Sequence, residues 1–168
     1  MNIMKIVRIL VPALLVSVCA LVASALPASA SHTLVVIQDV PVLASHPNPD
    51  IKPNTTGAVL FFGADLRNTK KKKIGEVIGQ VTTLDVSLDG VDEVDNFREL
   101  VFNMKNGQIV VLGASQYVAG HVPNFASNNA PVTAVIVGGT GKFVGARGIV
   151  TTKKRVNGTF RHTFTFVH

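Results

Sequence analysis

The chain has 168 residues, a formal net charge of +6 and one cysteine. This length is that of one domain with a substantial core. Cys19, the single cysteine, excludes a disulfide framework and a cysteine metal site, so stability must come from packing.

The first thirty residues predict a secretory signal peptide. Lys5 and Arg8 give a positive start, residues 9–25 form an apolar run, and Ala28-Ser29-Ala30 matches the small-x-small cleavage pattern. A membrane anchor is the competing interpretation, since the run approaches the length of a spanning helix. We expect export, cleavage near Ala30 and a secreted chain without a membrane span. Loss of the leader lowers the formal charge to +4 by removing Lys5 and Arg8.

The first half of the remaining chain predicts three strands, at residues 34–37, 58–65 and 75–85. The segment 41–56 holds four prolines and predicts a long irregular connection. The third strand contains Gly79, where we expect a bend. Between the second and third strands lies Lys70-Lys71-Lys72-Lys73, which indicates either a solvated loop or an electrostatic patch for anionic surfaces.

The second half predicts five strands. Residues 89–95 are acidic and predict a turn. Asn106-Gly107 between apolar runs predicts a tight hairpin of residues 97–104 and 108–118, because Asn-Gly favours turns with positive φ. Residues 119–130 predict a second long loop. A second Asn-Gly, at Asn157, joins the last two of the remaining strands, at residues 131–137, 148–155 and 159–167.

Eight strands and no amphipathic helix after the leader predict an all-β fold, either a closed antiparallel β-barrel or a sandwich. We favour the eight-stranded antiparallel barrel because closure removes exposed strand edges. A barrel of this size is wide enough either to be filled by its own side chains or to hold one small ligand.

The sequence VTAVIVGGTGKFVGARG, at residues 132–148, predicts a strand that ends in a glycine-rich corner. Gly138, Gly139 and Gly141 belong to the set that we expect to supply positive φ and close backbone approach. The GGTGK sequence is not a phosphate-binding loop, because Ile136 and Phe143 stand where that motif requires Gly and Ser or Thr. Nor is it a dinucleotide fingerprint, whose third glycine is replaced here by Val144.

VGGTGKFVGARG, at residues 137–148, resembles the signature corner of dirigent proteins. IGEVIGQ, at residues 74–80, and the strand from Asn106 to Gly113 are similar to two further dirigent segments, in the same order. Residues 97–113 followed by GGTG also resemble the allene oxide cyclase pattern. The resemblance covers roughly residues 57–167. Val132-Thr133 and Phe62-Gly63-Ala64-Asp65 depart from the corresponding dirigent sequences.

The resemblance implies an eight-stranded barrel with a central, largely apolar pocket and no metal or organic cofactor, and commonly a trimer. Dirigent proteins steer the coupling of phenoxy radicals made by a separate oxidase, whereas allene oxide cyclases fold a reactive epoxide into a ring. It therefore implies a small hydrophobic or phenolic substrate and a homo-oligomer, either trimer or dimer. Arg147 matches the arginine of the dirigent corner, where we expect a structural bond across the turn.

Two residues are candidates for catalysis. Alternate side chains of a barrel strand share a face, so the neighbours of each candidate can be read from the sequence. Asp65 shares a face with Phe61, and a carboxylate beside apolar neighbours could donate or accept a proton at a cyclising substrate. His162 shares a face with Phe164 and two other phenylalanines, so it is either a wall residue or an acid-base group of the pocket. We expect Phe61 and Phe164 to contact the ligand.

Three further side chains are candidates for binding. Tyr117, the only tyrosine, could orient a phenolic or carbonyl ligand by its hydroxyl group. Arg98 and Glu99 point to opposite faces, so one of them could enter the barrel.

Other chemistry has no sequence support. The histidines show no metal-ligand spacing, no serine lies in a G-x-S-x-G elbow, and nothing indicates a nucleic-acid partner. Asn54 and Asn157 fit the glycosylation pattern, which matters only in a eukaryotic host. Three hypotheses remain: dirigent-type stereocontrol, an allene oxide cyclase-type cyclase or isomerase, and a non-catalytic secreted protein that binds anionic polymers through Lys70–Lys73.

Overall fold

The structure, a computed structural model, describes residues 32–44, 56–84, 93–118 and 131–167. The predicted signal peptide, the loop 119–130 and most of the proline-rich segment lie outside this part of the chain. The described residues form strands β1 (His32–Gln38), β2 (Val42–Leu43), β3 (Val59–Arg67), β4 (Lys73–Thr83), β5 (Glu93–Met104), β6 (Gly107–Val118), β7 (Val132–Gly139), β8 (Gly148–Lys154) and β9 (Phe160–Phe166).

The strands form one closed antiparallel barrel, which confirms the predicted fold class. Their order is β1-β9-β8-β7-β6-β5-β4-β3-β2. Pairing of Ile37 with Arg67 and of Gln38 with Leu66 joins β1 to β3 and closes the ring. The two-residue strand β2 continues the path of β1 along β3, so the barrel consists of eight long strands. In the described ranges, no helix is long and apolar enough to cross a membrane.

One local prediction was wrong. Glu93, placed by the sequence in an acidic turn, begins β5, where it pairs with Val118 of β6. At Gly79, where we expect a bend, the pairing of β4 with β3 and β5 continues without a shift. The glycine is needed for packing: an added Cβ would meet the Phe62 ring and would lie 2.7 Å from Leu100 Cδ2.

The two ends of the barrel differ. The β3–β4, β5–β6 and β7–β8 connections lie at one end, which we call the corner end, because antiparallel neighbours return to the same end at every second connection. The last residues of β4, β6 and β8 and the first residues of β5, β7 and β9 lie at the other end, which we call the far end.

Apolar side chains pack against one another in the corner half of the interior. Phe102 and Phe164 pack edge to face with ring centroids 4.9 Å apart, and Phe166 stacks on Phe164 at 6.1 Å. Phe143, from the 3-10 turn Gly141–Phe143, enters from the corner and lies 6.3 Å from Phe166. At this end, the chain's own aromatic rings therefore take up much of the largely apolar interior that the resemblance implies.

The glycines of the corner have unequal roles. Gly141 has φ +58°, the left-handed conformation that the corner requires. Gly139 has no positive φ, but an added Cβ would meet the Gln108 carbonyl oxygen and lie 2.7 Å from Phe143 Cβ. The expectation that the corner requires Gly138 was wrong. This glycine has no positive φ, and an added Cβ would meet nothing within 4 Å.

Candidate functional site

In the part of the chain that the structure describes, seven buried polar side chains lie in the far half of the barrel. All are on the inward face of their strands, which alternates with the solvent face, and each is at most 8% exposed. The interior thus changes from apolar at the corner end to partly polar toward the far end. The seven residues are Gln38, Thr83, Asn96, Arg98, Ser115, Thr152 and His162.

His162 is held by a hydrogen bond on each ring nitrogen. Its Nε2 lies 2.9 Å from Gln38 Oε1, and its Nδ1 lies 2.9 Å from Thr152 Oγ1. Because an amide oxygen can only accept a hydrogen bond, Nε2 carries the proton and donates a hydrogen bond to Gln38 Oε1. Nδ1 then accepts from the Thr152 hydroxyl, which fixes the neutral tautomer and the plane of the ring.

The charge state of this part of the interior follows from burial. Burial and the nearby charge of Arg98 lower the pKa of His162 to about 3, so its imidazole is neutral at physiological pH. Burial also lowers the pKa of Arg98, to about 10, which still leaves the guanidinium charged. Among the described residues, the interior therefore holds the charged Arg98 and the neutral His162.

Gln38 brings a buried donor to the same place. While its Oε1 accepts from His162, its Nε2 has no hydrogen-bond partner among the described residues and is shielded from solvent. A buried donor without an acceptor costs about 1–3 kcal/mol, so this group is suited to an oxygen of a bound molecule. Phe102 lies edge-on to the His162 ring at 4.8 Å and supplies an apolar wall. We call Gln38, Arg98, Thr152 and His162 the interior cluster.

Three of the candidates from the sequence lie in the barrel interior, namely His162, Arg98 and Phe164. Arg98 and Phe164 are buried inside, and of the Arg98–Glu99 pair the arginine is the inward one. Glu99 lies on the outer face, where it accepts a hydrogen bond from Gln80 Nε2 at 3.1 Å. Tyr117 lies in β6, opposite Val94, but its side chain is outside the described part of the structure.

Asp65 and Phe61 lie on the outer face of β3, and not in the barrel interior where we expected them. Asp65 pairs with Lys73 at 2.6 Å and with Arg67 at 3.8 Å, a surface ion-pair arrangement. Phe61 is 37% exposed, whereas its neighbour Phe62 is buried. The two faces of β3 both carry phenylalanine, which is why the sequence did not distinguish them.

At the corner, the bond made by Arg147 comes from its backbone. Its carbonyl oxygen accepts from the Val167 N–H at 3.0 Å, and its side chain is exposed.

Sequence reasoning missed Gln38 and Thr152, two members of the interior cluster. The alternation that places Gln38 with Val36 was readable, but its contact with His162 required knowing that the first and last strands pair.

In the ranges that the structure describes, no three His, Cys, Asp or Glu side chains are grouped so that they could hold a metal ion.

The fold and the interior cluster together define a closed β-barrel with a polar group of side chains inside. No protein-family model matches the sequence, and a search of curated proteins gave no significant match. Solved structures do share the fold. Pyocyanin demethylase is similar with a TM-score of 0.61 and 20% identity, over 81% of this chain and 100% of that chain.

Two structures described as Diels-Alderases are similar as well. AbnU, described as an exo-specific intermolecular Diels-Alderase, has a TM-score of 0.52 and 13% identity over 80% of this chain and 98% of its own. AbmU from Streptomyces koyangensis, described as a Diels Alderase, has a TM-score of 0.55 and 11% identity over 82% of this chain and 63% of its own. At these identities the likeness is one of fold.

Proposed function

We propose that the protein binds a small hydrophobic or phenolic molecule inside its barrel and promotes the closure of a ring in that molecule. The observation that carries this proposal is the interior cluster, in which the neutral His162 and the buried Gln38 amide donor lie beside Phe102 and the charge of Arg98 acts on the histidine. Such a site holds one polar oxygen of a ligand and leaves the rest of the molecule against apolar walls.

The cluster suits a reaction in which negative charge develops on a carbonyl or phenol oxygen. Arg98 supplies positive charge in a low-dielectric interior, where electrostatic interactions are stronger than in water. Gln38 Nε2 supplies a donor that is already desolvated. With a pKa of about 3, His162 acts through hydrogen bonding and not as an imidazolium acid. Confinement in a reactive geometry can lower a barrier by up to about 7–11 kcal/mol without a nucleophile.

The descriptions of two fold relatives as Diels-Alderases support ring closure as the reaction class. A second candidate is dirigent-type control of phenoxy-radical coupling, with a separate oxidase as the source of radicals. The corner sequence at residues 137–148 favours it.

Two assays separate the candidates. In the first, the protein is incubated with a linear triene that carries an α,β-unsaturated ketone, and the cyclic product is followed by chiral chromatography. In the second, a one-electron oxidant and a para-substituted phenol are used, and the enantiomeric excess of the coupled product is measured. We expect acceleration in the first assay. If the first assay shows no acceleration and the second gives an enantiomeric excess, control of radical coupling replaces ring closure as the proposed function.

Variants connect either activity to the cluster. Gln38→Leu and His162→Gln should lower the rate or the selectivity at least about tenfold, because each removes a polar contact inside the barrel. Asp65→Asn, on the outer face, is the matched control and should leave both unchanged. Racemic products at the uncatalysed rate in both assays, together with no ligand-induced NMR shifts of the interior phenylalanines, would overturn the proposal.

We further propose that the protein acts outside the cell, on the basis of the leader sequence. Intact-mass analysis of protein recovered from culture medium tests this. A chain that begins near Ser31 is the expected result, and retention of residues 1–30 in the cells would contradict it.

A further inference from the structure

The corner end of the barrel gathers positive charge from three separate connections. The β3–β4 turn carries Lys70, Lys71 and Lys72, the β5–β6 turn carries Lys105, and the corner carries Lys142 and Arg147. These six residues, which we call the basic end, come from distant parts of the chain. The antiparallel order of the strands brings them to one surface.

Backbone hydrogen bonds lock the three connections together. The Lys105 N–H donates to the Ile74 carbonyl at 3.3 Å, next to the β3–β4 turn, and the Lys142 N–H donates to the Asn106 carbonyl at 2.9 Å. The basic end is therefore a continuous surface with fixed relative positions.

The lysine turn itself is ordered by Asn68. The Oδ1 of Asn68 accepts hydrogen bonds from the backbone N–H groups of Lys70 and Lys72, both at 3.0 Å. Lys71 has φ +64°, a left-handed conformation that costs a lysine free energy. The turn thus presents three exposed lysines from a defined backbone.

These charges are not neutralised locally. Among the described residues, the ion pairs near this end join Lys73 to Asp65 and Arg67 to Asp39 and Asp65. The six residues of the basic end form no ion pair with any described residue. Their field is available to an external anion.

An apolar cavity opens on the same end. Its volume is about 220 Å³, and it lies between the corner, the start of β1 and the end of β9. Val144, at its rim, is 77% exposed, and Val167 is 51% exposed. Lys142 Nζ lies 4.8 Å from the Phe143 ring centroid, at the edge of this cavity. The cavity is lined by Leu34, Phe143, Ala146 and Phe166, with His32 and Lys142 as its basic groups.

We propose that the basic end docks on the surface of an anionic phospholipid bilayer. The lysines would meet lipid phosphates, and Val144 and the cavity would meet the upper acyl chains. A soluble polyanion, the partner considered from the sequence, would use the charges but gains nothing from an exposed valine beside an apolar cavity. The combination of basic and apolar groups is what favours a lipid surface.

Vesicle co-sedimentation tests the proposal. The vesicles are phosphatidylcholine alone or an equimolar mixture of phosphatidylcholine and phosphatidylglycerol, and all protein samples share one N-terminus, verified by mass. We expect binding to the anionic vesicles that weakens with added salt. Equal binding to both kinds of vesicle would overturn the proposal, since charge would not matter.

A pair of triple variants separates a defined surface from overall charge. Lys70→Ser/Lys71→Asn/Lys72→Ser should weaken binding about 100-fold, because each basic side chain near an anionic bilayer contributes about fivefold. Asparagine at position 71 tolerates the left-handed conformation. Lys153→Ser/Arg155→Ser/Arg161→Ser removes the same charge around the β8–β9 hairpin and should change binding less than about threefold. Equal losses in the two variants would overturn the proposal.

Two further measurements complete the test. Lys105→Gln/Lys142→Gln, on the other two turns, should weaken binding about 25-fold, and it decides the matter if the first triple variant does not fold. Val144→Ser should weaken vesicle binding about fivefold and leave the retention on immobilised polyphosphate unchanged. If Val144→Ser binds vesicles as the wild type does and polyphosphate displaces the protein, the partner is an anionic polymer and the lipid proposal is wrong.

Discussion

Gln38 and His162, 124 residues apart in the sequence, are joined by a hydrogen bond of 2.9 Å between Oε1 and Nε2. The bond links the first strand to the last, beside the place where β1 also pairs with β3. Gln38, in the strand that closes the barrel, therefore also helps to set the orientation of the buried His162 ring.

Loss of this bond should destabilise the fold. Gln38→Leu leaves the His162 Nε2–H buried without an acceptor, and we expect the free energy of unfolding to fall by about 1–3 kcal/mol in urea titrations. Gln80→Leu, on the outer face where Gln80 bonds Glu99, is the control and should cost less than about 1 kcal/mol. Equal losses in the two variants would contradict the assigned role of Gln38.

The pH dependence of stability should report on His162. Its pKa is about 3 in the folded chain against 6.5 for an ordinary histidine, so the unfolded chain binds more protons between these values. Stability is then complete above about pH 6.5 and falls as the pH is lowered toward 3, by about 4–5 kcal/mol in total from this residue. His162→Gln should remove that part of the pH dependence. Parallel urea-unfolding profiles of the two proteins across this window would contradict the prediction.

Alanine substitutions at two neighbouring corner glycines, Gly139 and Gly138, should differ in their effect on stability. Gly139→Ala should lower the free energy of unfolding by more than about 2 kcal/mol, because the new Cβ collides with the Gln108 carbonyl and Phe143. Gly138→Ala, one residue earlier in β7, meets nothing within 4 Å and should change stability by less than about 0.5 kcal/mol. Thermal and urea unfolding of both variants check this, and a reversed order would refute the packing explanation.

The outer-face ion pair of Asp65 should matter little. Asp65→Asn removes the contacts with Lys73 and Arg67, each partly exposed, and we expect a loss of no more than about 1 kcal/mol that shrinks in high salt. Urea titration at low and high ionic strength measures it. A larger loss, independent of salt, would show that Asp65 acts in another way.

The expected homo-oligomer has a candidate contact surface on β7 and β8. Val135 and Ile149 face each other across these strands on the outer face, 56% and 45% exposed, with Val137 beside them. Val135→Asp should shift the protein toward monomer in sedimentation velocity, because it places a charge in an apolar interface. Val156→Asp, in the β8–β9 turn, is the control. A wild-type protein that is already monomeric would contradict the prediction.

Local signals were the reliable ones in the sequence. Asn106-Gly107 and Asn157-Gly158 marked two hairpins correctly, because tight antiparallel turns need residues that accept positive φ, as Gly107 and Gly158 do. The start of β5 was missed because its acidic composition favours turns, and pairing with β6 holds it in a strand. The two residues of β2 were missed because they lie in a proline-rich segment, where pairing with β3 holds them.

The sequence by itself determined the all-β class, the glycine corner and the alternation that pairs His162 with Phe164 and Asp65 with Phe61. Only the tertiary structure decided which alternate set lies inside. Both faces of β3 and β7 carry large apolar residues, so hydrophobicity along these strands does not distinguish core from surface. Closure of the ring makes the choice, because it encloses one face of every strand at once and brings Gln38, Arg98 and His162 together from strands far apart in the chain.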